Sequence, residues 1–145
     1  MSVLDASVVL KWFVNEDDGE QALRLREEFY HGEREIAPDL LLYEVANALR
    51  YNPDFTVEEI VQALRTLFDM GIWIITPTYA LLSKVVELAK SLDITCYDAT
   101  YLALAEELEF EFITAITADK RLHTKAIKGA GSRIETKLLS DLTGN

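Results

Sequence analysis

The chain has 145 residues, half of them hydrophobic and 27% charged, a globular composition that excludes a disordered protein. One cysteine excludes an internal disulfide, and with only two histidines a structural zinc site is not expected. A net charge of −11 argues against a general nucleic-acid binder, and no apolar run reaches the roughly 18–20 residues of a membrane span.

MSVLDAS, at the start, has no basic stretch and carries an acid at Asp5, so it does not read as a signal peptide, and a cytoplasmic protein is expected. Ser2-Val3-Leu4 reads as a short strand that ends at Asp5. Asp is an ordinary helix N-cap after a strand, yet in an open α/β sheet ligands also gather beyond the carboxyl ends of strands. Val8 to Val14 reads as a helix containing Trp12 and Phe13, with Asp17 to Tyr30 as a second, charge-rich helix. Glu35-Ile36-Ala37 reads as a second strand, stopped by Pro38.

Asp39 is placed to cap a helix over Leu40 to Arg50, whose apolar stripe runs Leu41, Leu42, Val45, Ala46, Ala48 and Leu49. Glu44 shares that stripe, with Asn47 one turn on. An acid among packed residues either lies at the stripe's edge and reaches water or marks a functional site. Thr56 and Glu59 form a capping box for a helix over Val57 to Met70, and its stripe of Val57, Ile60, Val61, Leu64, Leu67 and Phe68 reads as core or partner interface. Gly71 ends that helix. Ile72 to Ile75 reads as a buried third strand, and Thr78 caps a helix over Tyr79 to Leu92 with Leu81, Leu82, Val85, Val86 and Ala89 inward.

Ile94 to Glu106 reads as a helix that is apolar almost all the way round, so it should be buried. Asp98 nevertheless sits in its first turn. Thr95 stands three residues earlier, so an imperfect capping box is one explanation. A ligand or partner for a carboxylate entering a packed interior is the other. Cys96, beside it, reads as a buried small hydrophobe. Phe112 to Ile116 reads as a fourth strand followed by Thr117-Ala118-Asp119, an arrangement like that at Asp5, with a turn or capping role for Asp119 as its plainer reading. Arg133 to Leu138 offers a marginal fifth strand. Six of the fourteen basic residues fall between Lys120 and Lys137, as either a solvated face or a phosphate-binding edge.

Strands alternating with helices predict a parallel sheet covered on both faces, as one domain over residues 1–140 with a frayed tail at 141–145. Right-handed crossovers put all the strand ends on one edge, where Asp5, Glu44, Asp98 and Asp119 can meet. Clustered carboxylates repel one another and take up protons unless a cation neutralises them. Oxygen-only ligands select Mg²⁺ or Mn²⁺, and such ions activate water for attack on a phosphodiester. An acidic chain can thereby still handle a polyanion locally.

Four stretches, VLDASVVLKWF from Val3, PDLLLYEVANALR from Pro38, YDATYLALAEEL from Tyr97 and ITADKRL from Ile116, resemble those of PIN domains in the family's order, and within that family the VapC-type ribonuclease toxins. The resemblance implies an α/β/α sandwich with a parallel sheet of about five strands. It implies an Mg²⁺- or Mn²⁺-dependent endoribonuclease, held inactive by a short antitoxin and usually a homodimer. Asp5, Glu44 and Asp98 match the family's three core acids and Asp119 its fourth. Ser7, Thr117 and Asn47 match supporting positions.

Two other classes compete. One is a catalytically silent PIN-like module that binds RNA or protein, against which stands the presence of all four acids. The other is a phosphoryl-transfer or receiver-type domain. An aspartyl-nucleophile phosphatase would want an acid two residues after Asp5, where this chain has Ser7.

Overall fold

Residues Ser2–Leu4 form strand β1 at the centre of a five-stranded sheet, with β2 (Glu35–Pro38), β3 (Trp73–Ile75), β4 (Thr114–Thr117) and β5 (Thr136–Leu138). The structure, a computed structural model, describes residues 2–14, 27 and 35–108 in full and the backbone of 114–117 and 136–138. Every pairing is parallel, in the order β3-β2-β1-β4-β5, as the alternation of strands and helices requires. In register, Val3 stands level with Ile36 on one side and Ala115 on the other, and Leu4 with Ile116. Val3, Leu4, Ile36 and Ala37 are all buried, the signature of a parallel sheet covered on both faces.

Among the described residues the covering helices are α1 (Ala6–Leu10), α2 (Leu40–Tyr51), α3 (Val57–Asp69), α4 (Tyr79–Leu92) and α5 (Cys96–Glu107). One group is linked through α2, which packs on α1, α3 and β2. The other is the α4–α5 pair, with α5 lying across β1, β2 and β4. The chain runs outward from β1 through β2 to β3, then crosses back to place β4 on β1's other side. Winding therefore reverses between β1 and β4, and in open α/β sheets the crevice beyond the strand ends at such a reversal is where ligands bind.

Local signals explain most helix boundaries. Thr56 and Glu59 form the full capping box, each side chain accepting from the other's backbone N–H at 3.2 Å. Thr78 accepts from Leu81 N at 3.1 Å at the start of α4. Gly71 closes α3 at φ +75°, and Asp93 adopts φ +53° to end α4. No helix among the described residues is long and apolar enough to cross a membrane.

Several expectations need correction. Strand β3 is not buried: it is the sheet's edge, and Trp73 is exposed. Asp39 holds the N-cap position of α2 but its side chain makes no capping bond, because its backbone is already helical. Pro38 does not stop β2 but is its last residue, paired with Ile75. The regular stripe on α3 is largely on the outside: Val57, Val61 and Phe68 are exposed, while Ala63 and Leu67 are buried. Periodicity identifies an apolar face without saying what covers it, and α3 packs chiefly on α2 rather than on the sheet. In α4, Leu82 and Val86 are exposed, and Leu88 and Leu92 are buried with Leu81, Val85 and Ala89. Cys96 is exposed, since the first residue of α5 precedes the packed turns. Trp12 belongs to the core. The expected helix over Asp17 to Tyr30 lies outside the described residues save Glu27, as do the Lys120–Lys128 segment and the 141–145 tail.

Candidate active site

Asp5 follows directly on β1 and is the N-cap of α1. Its Oδ1 accepts from Ser7 N at 2.9 Å, from Val8 N at 3.3 Å and from the Ser7 hydroxyl. These donors offset the cost of holding a carboxylate that is only 7% exposed. The capping reading of Asp5 therefore holds, and it fixes the carboxyl group at the sheet's point of reversal. Ser7 serves it with both backbone and side chain.

Glu44 rises from the middle of α2 and is half-buried. It does not merely reach water. The Tyr101 hydroxyl, from α5 in the other helical group, donates to Glu44 Oε1 at 2.6 Å. Tyr101 is 4% exposed, and its hydroxyl feels the backbone N–H of Ala6, next to Asp5. One buried phenol thus ties the helix that carries Asp98 to the helix that carries Glu44. Burial raises the Tyr101 pKa well above its ordinary value, and its bond to Glu44 and the charges of Glu44 and Asp5 raise it further, so it remains a donor throughout the physiological range.

Asp98 lies in the first turn of α5, where Thr95 Oγ1 accepts from its backbone N–H at 3.1 Å. Thr95 caps the helix, as the capping explanation expects, and the charge of Asp98 reaches Glu44. Burial raises the Glu44 carboxyl above the usual carboxylate range, the Tyr101 bond lowers it, and the charges of Asp5 and Asp98 add to the rise. Asp5 and Asp98 thus both stand within electrostatic reach of Glu44.

Of the remaining candidates, Asn47 is exposed one turn along α2 and lines a cleft together with Glu44. Thr117 ends β4, and the register that pairs Leu4 with Ile116 puts its backbone level with Asp5. Asp119 lies outside the described residues. Tyr101 is the residue that sequence reasoning missed, read there as one more apolar position. Its signal was available: it stands three residues after Asp98, on the same helical face, and a buried phenol needs a hydrogen-bond partner.

Among the described residues, no three acidic, histidine or cysteine side chains are arranged to hold a metal ion by themselves. The donor chemistry still fits a hard divalent cation. Every ligand would be oxygen, Mg²⁺ ordinarily keeps several waters, and the mutual repulsion acting on Glu44 is what a cation relieves.

Residues 2–128 match the PIN domain. The chain belongs to the PIN-domain family. PIN domains are generally nucleases. Solved structures share the fold at low sequence identity. A Pyrobaculum aerophilum protein, PAE2754, is similar with a TM-score of 0.63 and 20% identity, covering 93% of this chain and 87% of its own. Mycobacterium tuberculosis VapC20, a sarcin–ricin loop cleaving toxin, gives 0.67 and 16% over 86% and 94%. Rickettsia felis VapBC2, solved on a DNA fragment from its promoter, gives 0.65 and 12% over 94% and 97%. No curated protein matches the chain in sequence. The PIN fold expected from the four motifs, a parallel five-stranded sheet between helices, is the fold observed.

Proposed function

We propose that this PIN domain is a metal-dependent endoribonuclease and the toxin of a prokaryotic toxin–antitoxin pair, acting in the cytoplasm. The observation that supports the reading is that the charges of Asp5 and Asp98 both act on Glu44, whose carboxylate Tyr101 holds beside the sheet's reversal point. Asp5, Glu44, Asp98 and Asp119 would hold Mg²⁺ or Mn²⁺. When bound, such an ion supplies positive charge against the phosphate and lowers the pKa of a water.

The protein's own groups then have separable tasks. Asp5, fixed through Oδ1 by Ser7 and Val8, is the rigid corner of the site. Tyr101 occupies Glu44 Oε1, which leaves Oε2 to take up a proton from the attacking water or to face the cation. The raised proton affinity of Glu44 suits it to that transfer. Asp98, held by the Thr95-capped turn of a buried helix, closes the third side. Ser7, Asn47 and Thr117 support the acids.

A homodimer and a short antitoxin belong to the same proposal. The exposed Val57, Val61 and Phe68 on α3 support a partner surface, since monomers rarely leave such a stripe uncovered. The test incubates the protein and its Asp5→Asn variant with structured RNAs in Mg²⁺, Mn²⁺ or EDTA. Cleavage is expected only for the native protein with a divalent ion, leaving a 5′-phosphate. Cleavage that survives both EDTA and the substitution would sink the assignment. RNA binding by both proteins without cleavage would favour a silent module.

A further inference from the structure

Two tyrosines flank the candidate acids, each one residue ahead of one: Tyr43 before Glu44 on α2, and Tyr97 before Asp98 on α5. Unlike Tyr101, neither is packed away. Tyr43 is 73% exposed and Tyr97 65%. Both line one cleft of about 640 Å³ together with Glu44, Asn47 and Arg50. That volume lies inside the ~300–1,000 Å³ range of ligand-binding clefts. Successive helical residues point about 100° apart, so an acid aimed at the sheet edge leaves its preceding tyrosine beside it rather than behind it.

Arg50 lines the same cleft two turns after Tyr43, and its guanidinium stacks on the Tyr51 ring at 4.6 Å from the ring centre. That contact preorganises a planar cation suited to a phosphate. Asn47, between them, offers an amide to a base edge or a ribose hydroxyl. Exposed aromatic rings, one held cation and one amide around a carboxylate are the parts with which proteins hold unpaired nucleotides.

We propose that Tyr43 and Tyr97 form a stacking platform for unpaired nucleobases of single-stranded RNA, presenting the adjoining phosphodiester to Glu44 and Asp98. The proposal rests on the nuclease reading for the purpose of the site, but its binding test does not. A base inside a duplex has both faces covered, so the platform selects loops and single strands and excludes paired segments. Arg50 anchors a backbone phosphate at the cleft's far end, away from the acids that would repel it.

The test measures binding of 2-aminopurine-labelled oligoribonucleotides to the full chain in Ca²⁺ buffer, with cleavage in Mg²⁺ and Mn²⁺ followed separately. Stacking on the order of one base per ring predicts that Tyr43→Ala and Tyr97→Ala each weaken single-strand binding about 5- to 150-fold. Tyr43→Phe and Tyr97→Phe keep the ring and should bind like the native chain. A strand with abasic sites at the contacted positions should bind weakly to every variant, and the matching duplex should bind weakly to the native chain. Circular dichroism verifies folding, which two exposed side chains leave intact.

Alanine variants that bind as the native chain does, or a duplex that binds as well as the strand, would overturn the platform. So would tyrosine-dependent binding of an amphipathic helical peptide with no response to any oligonucleotide, which would assign the cleft to a protein partner. Tyrosine-dependent strand binding without cleavage in Mg²⁺ or Mn²⁺ would support the platform and count against the nuclease reading alone.

Discussion

Replacing Tyr101 by Phe removes one oxygen from the middle of the site and leaves the ring in place. The ring is buried, so its packing survives and the change isolates the hydroxyl. One bond is lost, the 2.6 Å donation to Glu44. Glu44 is half-buried and recovers part of its loss from water. A hydrogen bond to a charged group is worth about 1.5–3 kcal/mol, so the whole change should cost about 2 kcal/mol. In a domain of this size that lowers Tm by roughly 4–8 °C. Urea denaturation in EDTA at pH 7 measures it, and the slope should be unchanged because the exposed surface on unfolding is the same. Crossing the change with Glu44→Gln in a double-mutant cycle isolates the pair, with a coupling of about 1–2 kcal/mol expected. Additive effects of the two substitutions, or a Tyr101→Phe chain as stable as the native one, would refute the claim that this bond joins the two helical groups.

Other consequences follow from the same site. The Glu44 carboxyl keeps its proton to higher pH folded than unfolded, so the metal-free protein should gain stability as pH falls through that raised pKa. The gain is complete below the ordinary value of about 4.3, and Glu44→Gln should remove it from the pH–stability difference curve. Mg²⁺ or Mn²⁺ at about 100 times Kd should stabilise the native chain by roughly 2.7 kcal/mol, and Asp98→Asn should abolish most of that shift in thermal melts. Activity should fall at least about 100-fold in Asp5→Asn, while EDTA silences the native enzyme and added metal restores it, followed by RNA cleavage. Thr56→Ala breaks the capping box of α3 and should cost about 1 kcal/mol in urea denaturation without changing the cleavage rate.

How much of this was legible in the residues depended on how local the cause was. Strands and helices were legible because their periods and caps are local: the Thr56–Glu59 box, Thr78, Thr95 and Gly71 all act as their sequence context implies. Asp5 was legible as a residue following a strand, and its capping reading holds. What escaped depends on partners distant in sequence. The α3 stripe has near-ideal spacing, yet whether Val57 and Phe68 are covered is decided by α2 and by what lies beyond α3, not by the stripe. Strand β3 is as apolar as an inner strand, and only the order of the sheet makes it an edge. Tyr101 and Glu44 are separated by 57 residues, so no window on the sequence contains their bond.

The apolar helix α5 now has a reason for its composition. Ala99, Leu102, Ala103, Leu104 and Ala105 are buried among β1, β2, β4 and α4, so the helix is gripped on most sides. Asp98 and Tyr101 stand three apart on it and share a face. Gripping α5 therefore positions two groups of the candidate site with one set of contacts: the acid itself, and the phenol that holds a second acid on α2. A polar face on α5 would free the helix to rotate, and a small rotation would displace both groups together. The candidate site's precision thus comes from the core, through a helix whose packed apolar sides keep the Asp98 carboxylate in place.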